Sequence, residues 1–218
     1  MKLYYSPGAC SMASHISLIE IDQPYELVKT DIRAKQTEDG RDYREINRLG
    51  YVPALELNDG AILTENTAIL PYIAGLKPGA LAPTGDALTE ARLNEVLGFL
   101  ASELHKAYGP FFGGAEDAAR DAALDRLKSR IAHVEYLLGD GRDYLFGDRF
   151  SVADAYAFVL LGWAAHFDIP LDEWPNVKAF VERVGQRPAV RRAMRRSGLG
   201  GGADRGRVQV WENGYGTE

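Results

Sequence analysis

Residues 49–72 read LGYVPALELNDGAILTENTAILPY, and this stretch decides the fold of the first part of the chain. Segment 54–57 alternates small or apolar residues with polar ones, which is typical of a half-buried strand. Asp59-Gly60 predicts a tight turn, because this pair readily adopts the positive φ angles of a hairpin loop. A returning strand follows over 61–63, and the side-chain oxygens of residues 64–66 are expected to cap the helix that comes next.

The same stretch suggests a place for a ligand. Because Pro53 has no N–H group, Val52-Pro53 is expected to leave a strand edge with free backbone groups, to which a short extended peptide could add. The nearby helix start favours a carboxylate, and Glu65 beside it would attract an ammonium group. The alternative is an ordinary hairpin followed by a capped helix.

The flanking sequence predicts two domains, an α/β domain and an all-α domain. Upstream of the hairpin we expect a strand over 2–5, a helix from Cys10 to about Ile21, a strand over 25–28, and a loop with an irregular helix over 31–47. The resulting order, β-α-β-α-β-β-α, predicts a thioredoxin-like N-terminal domain with a mixed sheet over residues 1–76.

A Pro/Gly-rich linker over 77–86 precedes the second domain. Residues 87–198 are expected to form a C-terminal helical bundle domain, with helices at about 86–112, 117–138, 151–167, 174–185 and 188–197. The sequence from Ser151 to Asp154 predicts a capping box at the start of one of them. Residues 199–218 are a C-terminal extension, in which 208–211 is expected to form an ordered strand.

Composition excludes several classes of function. The net charge of −6 gives no general support for binding nucleic acid or an anionic membrane surface. No apolar run approaches the roughly 20 residues that span a bilayer. The single cysteine excludes an internal disulfide, and the four histidines show no metal-ligand spacing. We therefore expect a cytoplasmic protein without a metal site.

Cys10 and Ser11 lie where the first strand turns into a helix. The N–H groups and dipole of a helix start favour a thiolate, which would lower the pKa of Cys10. Position 13, where thioredoxin-like redox enzymes carry a second cysteine, is Ala13. Any disulfide at Cys10 must therefore join an external thiol. The alternatives are a buried cysteine that acts as a small hydrophobe and a serine that is only a helix cap.

A second candidate group lies on the first helix of the second domain. His105, Tyr108 and Phe112 share one helical face, which could close over a site on the first domain. Phe111, Trp163 and Phe167 would add to an apolar wall there. An aromatic stripe of this kind also occurs in ordinary cores, so this reading stays open.

Taken together, the motifs resemble those of the cytosolic glutathione transferases, and among these the bacterial beta class. The resemblance covers the chain to about Leu199. It rests on MKLYYSPGACSMASH (1–15), GYVPALEL (50–57), LTENTAIL (63–70), SELHKAYGPFF (102–112) and FSVADAYAFVLLGWAAH (150–166). It implies a transferase that joins the thiolate of glutathione, its co-substrate, to small hydrophobic electrophiles.

The resemblance also implies roles for particular residues. A cis bond would precede Pro53, and the Val52 backbone would pair with the cysteinyl unit of glutathione. The remaining implied glutathione contacts are Glu65 and Asn66 at the γ-glutamyl end, Lys35 and Lys106 near the carboxylates, and Cys10, Ser11 and His105 near the sulfur. The family forms homodimers, in which Glu103 would reach the partner subunit's glutathione.

Three positions depart from the family pattern. Asn66 stands where serine is usual, Gly98 where asparagine is common, and Pro71 inside a helix that it should distort. Two other functions remain open. One is glutathione-dependent thiol-disulfide exchange through a mixed disulfide at Cys10, and the other is a non-catalytic glutathione-binding module.

Overall fold

The computed structural model describes residues 1–199. The strand predicted at 208–211 therefore lies outside the described residues. Strands β1 (Lys2–Tyr5), β2 (Glu26–Asp31), β3 (Gln36–Thr37), β4 (Ala54–Glu56) and β5 (Ile62–Thr64) form one sheet in the order β3-β2-β1-β4-β5. Only β1 and β2 run parallel, and the other neighbouring pairs are antiparallel. This is the mixed, thioredoxin-like sheet that the sequence predicted.

The segment between β2 and β4 differs in detail from the prediction. Instead of a second helix it contains the short strand β3 and a single 3-10 turn at Tyr43–Glu45. Asp42 caps that turn by accepting a hydrogen bond from the N–H of Arg44 at 2.9 Å. A segment so rich in polar residues has too few apolar side chains to cover the sheet with a full helix.

The predicted free strand edge also needs correction. Strand β4 pairs with β1 on one side and β5 on the other, so it is an inner strand. Its ladder begins at Ala54, and Val52 lies just before it. The bond between Val52 and Pro53 is cis, as the resemblance implied. Backbone groups at Val52 are therefore available because the ladder has not yet started, and not because the strand is an edge.

Helices α1 (Met12–Glu20) and α2 (Asn66–Leu76) complete the first domain. The expected side-chain cap of α2 is absent, because Glu65, at its N-cap, makes no capping hydrogen bond and has a φ of 68°. Helix α2 also runs uninterrupted past Pro71. A proline removes only one backbone hydrogen bond, and the packing of Ile69, Leu70 and Ile73, all fully buried, holds the helix in place.

Every named element of the second domain is a helix within the described residues. The long predicted helix over 86–112 is divided: α3 (Ala87–Phe99) continues through a π-helical segment, Leu100–Leu104, into the short helices α4 (His105–Ala107) and α5 (Gly109–Phe112). The other four are confirmed to within two residues, as α6 (Asp117–Leu137), α7 (Val152–His166), α8 (Pro175–Gly185) and α9 (Pro188–Arg196). None of the described helices is both long and apolar enough to cross a bilayer.

Helix α7 is almost entirely buried within the described part of the chain. Its residues from Val152 to Ala164 are all buried, and it packs against α1 of the first domain. The indole N–H of Trp163 donates to the carbonyl of Gly8 at 2.8 Å, which ties α7 to the turn after β1. One continuous apolar core therefore spans both domains and fixes their relative position.

The predicted capping box at the start of α7 is confirmed. The buried carboxylate of Asp154 accepts hydrogen bonds from the Ser151 N–H at 2.7 Å, the Ser151 hydroxyl at 2.6 Å and the Leu145 N–H at 2.7 Å. The N–H of Val152 donates to the carbonyl of Leu81 at 2.9 Å. This helix start is thus satisfied within the protein.

Candidate functional site

A cavity of about 560 Å³ lies between the two domains. Its first-domain wall comes from the turns after β1 and β2, the segment before β4 and the start of α2. Its second-domain wall comes from the helices between 101 and 112 and from α7. The lining residues are Ala9, Cys10, Ile32, Arg33, Asn47, Leu49, Tyr51, Val52, Pro53, Glu65, Asn66, Ala101, His105, Lys106, Phe112, Tyr156 and Trp163.

Cys10 lies on this cavity at the entrance to α1. Its thiol donates to the carbonyl of Val52 at 3.3 Å. Burial, and then the negative charge of Glu65, raise the pKa of Cys10 to about 12, although the N–H groups of Cys10 and Ser11 favour the thiolate. This differs from the lowered pKa expected from the helix start, because desolvation outweighs the helix dipole here. Cys10 is therefore a neutral thiol at neutral pH.

Two helix starts beside the cavity leave backbone N–H groups without a backbone partner among the described residues. Within the described chain, the N–H groups of Cys10 and Ser11 bond to no backbone carbonyl, and neither do those of Asn66 and Thr67. A helix start of this kind attracts anions, because unpaired donors and the helix dipole act in the same direction. The cavity therefore has two places for negatively charged atoms.

Asn66 links the two helix starts. Its side-chain N–H donates to the carbonyl of Cys10 at 3.0 Å, while its Oδ1 accepts from the hydroxyl of Ser14 at 2.9 Å. The asparagine that replaces the usual serine is thus buried and fully engaged. Glu65, which precedes it, is exposed to the cavity and is the single carboxylate among the described lining residues.

His105 faces the cavity from the opposite wall. Its Nδ1 lies 2.9 Å from the hydroxyl of Tyr156, and its ring contacts the indole of Trp163 nearly edge-on at 4.9 Å between centroids. Burial, with a smaller contribution from the neighbouring charge of Lys106, lowers the pKa of His105 to about 4. The imidazole is therefore neutral at physiological pH, and it can donate from only one nitrogen.

The predicted aromatic wall is only partly at the cavity. Phe112 and Trp163 line it, with their rings perpendicular and 5.0 Å apart. Tyr108, Phe111 and Phe167 pack behind them, outside the lining. The turn at Tyr108 rotates the chain, so that Tyr108 becomes fully buried and its hydroxyl has no partner among the described residues.

Three other predicted site residues point elsewhere. Ser11 is fully buried, and its hydroxyl bonds back to the N–H and carbonyl of Ser6. The ammonium of Lys35 donates to the carbonyl of Gly50 at 2.9 Å and lies over the ring of Tyr51. Gly50 has a φ of +65°, and a side chain there would collide with the stem of Lys35. Its lack of a side chain allows this close packing.

Glu103 lies on the π-helical segment and pairs with the guanidinium of Arg130 at 2.9 Å. Both side chains are partly exposed, on the outside of the helical domain and away from the cavity lining. The role implied for Glu103 concerns a partner subunit.

Sequence reasoning missed several lining residues, of which Tyr156 and Arg33 matter most. Tyr156 sits inside an apolar helix and looks like core from its pattern alone. Its hydrogen bond to His105, 51 positions away, depends on the tertiary fold. Arg33 lies in a polar turn, which the backbone N–H groups of Arg33 and Ala34 close by donating to Asp31 at 2.8 Å. An Asp two residues before a polar turn is the one signal that could have indicated its geometry.

No group of three or more His, Cys, Asp or Glu side chains suited to a metal ion occurs within residues 1–199.

Comparison with known proteins gives a consistent result over most of the chain. Residues 1–75 match the glutathione S-transferase N-terminal domain, and residues 90–188 match the glutathione S-transferase C-terminal domain. The curated glutathione S-transferase GstA of Escherichia coli O157:H7 is 38% identical over 202 residues, which is 91% of this chain and all of that protein.

Solved structures agree with this. A sphingomonad glutathione S-transferase complexed with glutathione superposes with a TM-score of 0.86 at 45% identity, over 91% of this chain and all of that one. The bacterial beta-class glutathione S-transferase of Sphingomonas chungbukensis gives the same values. This chain therefore belongs to the glutathione S-transferase family, and within it to the bacterial beta class.

Proposed function

We propose that this protein is a glutathione transferase that joins the glutathione thiolate to small hydrophobic electrophiles. One observation carries the proposal: two helix starts with unpaired N–H groups, an exposed carboxylate at Glu65 and an aromatic wall meet in a single cavity. These are the groups that an anionic peptide thiol and an apolar partner would each require. The family membership and the glutathione complex of the sphingomonad relative support the same ligand.

The proposed orientation of glutathione follows from the charges. Its ammonium group pairs with Glu65, and its α-carboxylate accepts from the N–H groups of Asn66 and Thr67. The cysteinyl unit bonds to the backbone of Val52. The Val52 carbonyl now accepts from the Cys10 thiol, and it would accept from an N–H group of glutathione instead. This places the sulfur between the start of α1 and His105.

The glycyl end then lies at the far side of Val52 from Glu65. Tyr51 and the 31–35 turn are next in that direction, because Lys35 bonds to the carbonyl of Gly50. Arg33 lines the cavity there and forms no ion pair with any described carboxylate, and Lys106 faces it from the helical domain. We propose Arg33 and Lys106 for the glycyl carboxylate. Lys35, implied by the resemblance, would have to leave Gly50 to join them.

The chemistry needs little covalent help from the protein. The bound thiolate attacks the electrophilic carbon, a C–S bond forms, and a leaving group such as chloride departs with the electron pair of the broken bond. The proton of the thiol has already been released to solvent. Phe112 and Trp163 offer the apolar electrophile a surface next to the sulfur.

Thiol-disulfide exchange through Cys10 is the second candidate, because the thiol lies on the cavity. It requires Cys10 as a covalent nucleophile, yet burial raises the pKa of that thiol to about 12. A neutral thiol is a poor nucleophile, so transfer to carbon ranks first. A non-catalytic glutathione-binding module ranks third, since such a module has no need of His105 beside the sulfur.

Two measurements test this order. Calorimetry with glutathione should show binding at one site per chain. Steady-state turnover should be faster with an activated aryl chloride than with a mixed disulfide of glutathione. No binding would contradict the whole proposal, and binding without turnover of either substrate would favour the non-catalytic module.

We also propose a cytoplasmic homodimer, from the resemblance alone. Glu103 would then exchange its pairing with Arg130 for the partner subunit's glutathione. Sedimentation should give a mass near twice the 24.0 kDa of the chain, and a monomer at micromolar concentration would contradict the proposal.

A further inference from the structure

Among the described residues, Tyr156 provides the buried hydroxyl that forms a hydrogen bond with His105 at the cavity. It is 2% exposed, lies in the second turn of α7, and its hydroxyl oxygen is 2.9 Å from His105 Nδ1. The two rings are nearly perpendicular, at 87°. Because the capping box fixes the start of α7 immediately before it, the position of this hydroxyl is set by the core of the molecule.

The direction of this hydrogen bond follows from counting protons. Burial raises the pKa of Tyr156, so its hydroxyl keeps its proton. A proton on Nδ1 of the neutral imidazole would leave the hydroxyl proton without an acceptor in the described structure. A buried donor without an acceptor is costly, by about 1–3 kcal/mol. The hydroxyl therefore donates to Nδ1.

The consequence concerns the other nitrogen of the ring. With Nδ1 as acceptor, Nε2 of the neutral His105 carries the proton. Nε2 makes no hydrogen bond to a described residue, and His105 lines the same cavity as Cys10. We propose that Tyr156 is a positioning residue that holds His105 in the Nε2–H form, so that this N–H donates to the glutathione sulfur and favours its thiolate.

This inference rests on the proposed function, because the sulfur is that of bound glutathione. Without the Tyr156 hydroxyl, Nδ1 can take the proton instead, and Nε2 would then present a lone pair to a negatively charged sulfur. The expected defect is therefore in thiolate formation and not in holding the peptide.

The test measures the pKa of enzyme-bound glutathione from the ultraviolet absorbance of the thiolate, in wild type and in Tyr156→Phe. We expect the variant to hold about tenfold less thiolate at neutral pH, a shift of about one pH unit. The glutathione Kd should change less than about twofold, and kcat should recover at a pH above the shifted value. Tyr144→Phe, which removes a hydroxyl bonded to Arg187 outside the cavity, should leave the bound thiol pKa at its wild-type value.

A His105→Ala background separates this role from a general structural one. There, Tyr156→Phe should cause no further shift of the thiol pKa. A wild-type thiol pKa in Tyr156→Phe, or an equal shift in both backgrounds, would overturn the inference while leaving the proposed function intact. Failure of the wild type to bind glutathione would instead overturn the proposed function.

A measurement on the wild type covers the case in which the variant does not fold. The ¹⁵N chemical shifts of labelled histidine distinguish a protonated ring nitrogen from an acceptor. We expect acceptor character at Nδ1 and N–H character at Nε2 of His105, and the reverse would overturn the inference.

Discussion

The helix starts of this molecule differ in how the backbone N–H groups there are bonded. At α7, the carboxylate of Asp154 accepts from Ser151 and Leu145, and Val152 donates to Leu81. At α1 and α2 no side chain caps the helix, and the N–H groups of Cys10 and Ser11 just before α1, like those of Asn66 and Thr67 at the start of α2, bond to no described backbone carbonyl.

The difference between them separates folding from function. A helix start whose backbone N–H groups are bonded within the protein stabilises the fold. A helix start whose N–H groups are not bonded leaves these donors available to a ligand. Substitutions at the α7 start should therefore change stability and leave binding alone. Those at the starts of α1 and α2 should do the reverse.

The largest effect is expected at the satisfied start. Asp154→Ala leaves three donors without their acceptor in a buried place and should lower the free energy of unfolding by about 4 kcal/mol. Asp86→Ala provides the matched control, because Asp86 caps the exposed start of α3 through Thr89 and should cost only about 1 kcal/mol. Denaturant unfolding measures both. Loss of less than about 1 kcal/mol in Asp154→Ala would remove the basis of the comparison.

The second prediction concerns the open start of α1. Cys10→Ala should reduce glutathione-dependent reduction of a mixed disulfide by about 100-fold, because no other thiol in the chain can replace it. Transfer to an aryl chloride should stay within about threefold of wild type, since the attacking sulfur there is that of glutathione. Parallel steady-state assays decide the matter. Equal collapse of both activities would make Cys10 obligatory for each and reverse the order proposed above.

Glu65 tests the open start of α2. Glu65→Ala should weaken glutathione binding by about 1.5–3 kcal/mol, the range for a hydrogen bond to a charged group, with little change in stability. Glu90→Ala removes an exposed carboxylate on α3 away from the cavity and should bind normally. Calorimetry at fixed ionic strength gives the comparison, and unchanged affinity in Glu65→Ala would reject the proposed position of the ammonium group.

The smallest effect is expected at the far end of the cavity. Arg33→Gln should weaken glutathione binding by about 1 kcal/mol or less, and the loss should shrink as salt is added, because the pair would be solvent-exposed. Lys35→Gln should have less effect, since that ammonium is held by Gly50. If calorimetric titrations show a larger loss of glutathione affinity in Lys35→Gln than in Arg33→Gln, Lys35 and not Arg33 binds the glycyl carboxylate.

How much of this was predictable from the sequence depends on the range of the interactions involved. The hairpin around Asp59-Gly60 and the capping box at Ser151 are local devices, and their residues alone determine them. The thioredoxin-like sheet order and the helical second domain follow from such local elements in sequence order.

The geometry of the site is a different matter, because it depends on contacts across the fold. Burial raises the pKa of Cys10, and the Lys35 ammonium is drawn to the Gly50 carbonyl because Gly50 has no side chain to block it. The turn at Tyr108 between α4 and α5 has no clear sequence pattern, and it changes which aromatic side chains reach the cavity. The sequence pattern predicts Tyr156 as a core residue, and only the packing of α7 against the helix of His105 brings its hydroxyl to the imidazole.

The most direct test of the contrast between helix starts follows the backbone amides themselves. In ¹⁵N-edited NMR spectra, saturating glutathione should shift the amides of Cys10, Ser11, Asn66 and Thr67, since their N–H groups gain acceptors. The amides of Ser151 to Asp154 should stay in place, because theirs are already bonded within the protein. Shifts at the α7 start as large as those at α1 and α2, or no shift at α1 and α2, would contradict the account.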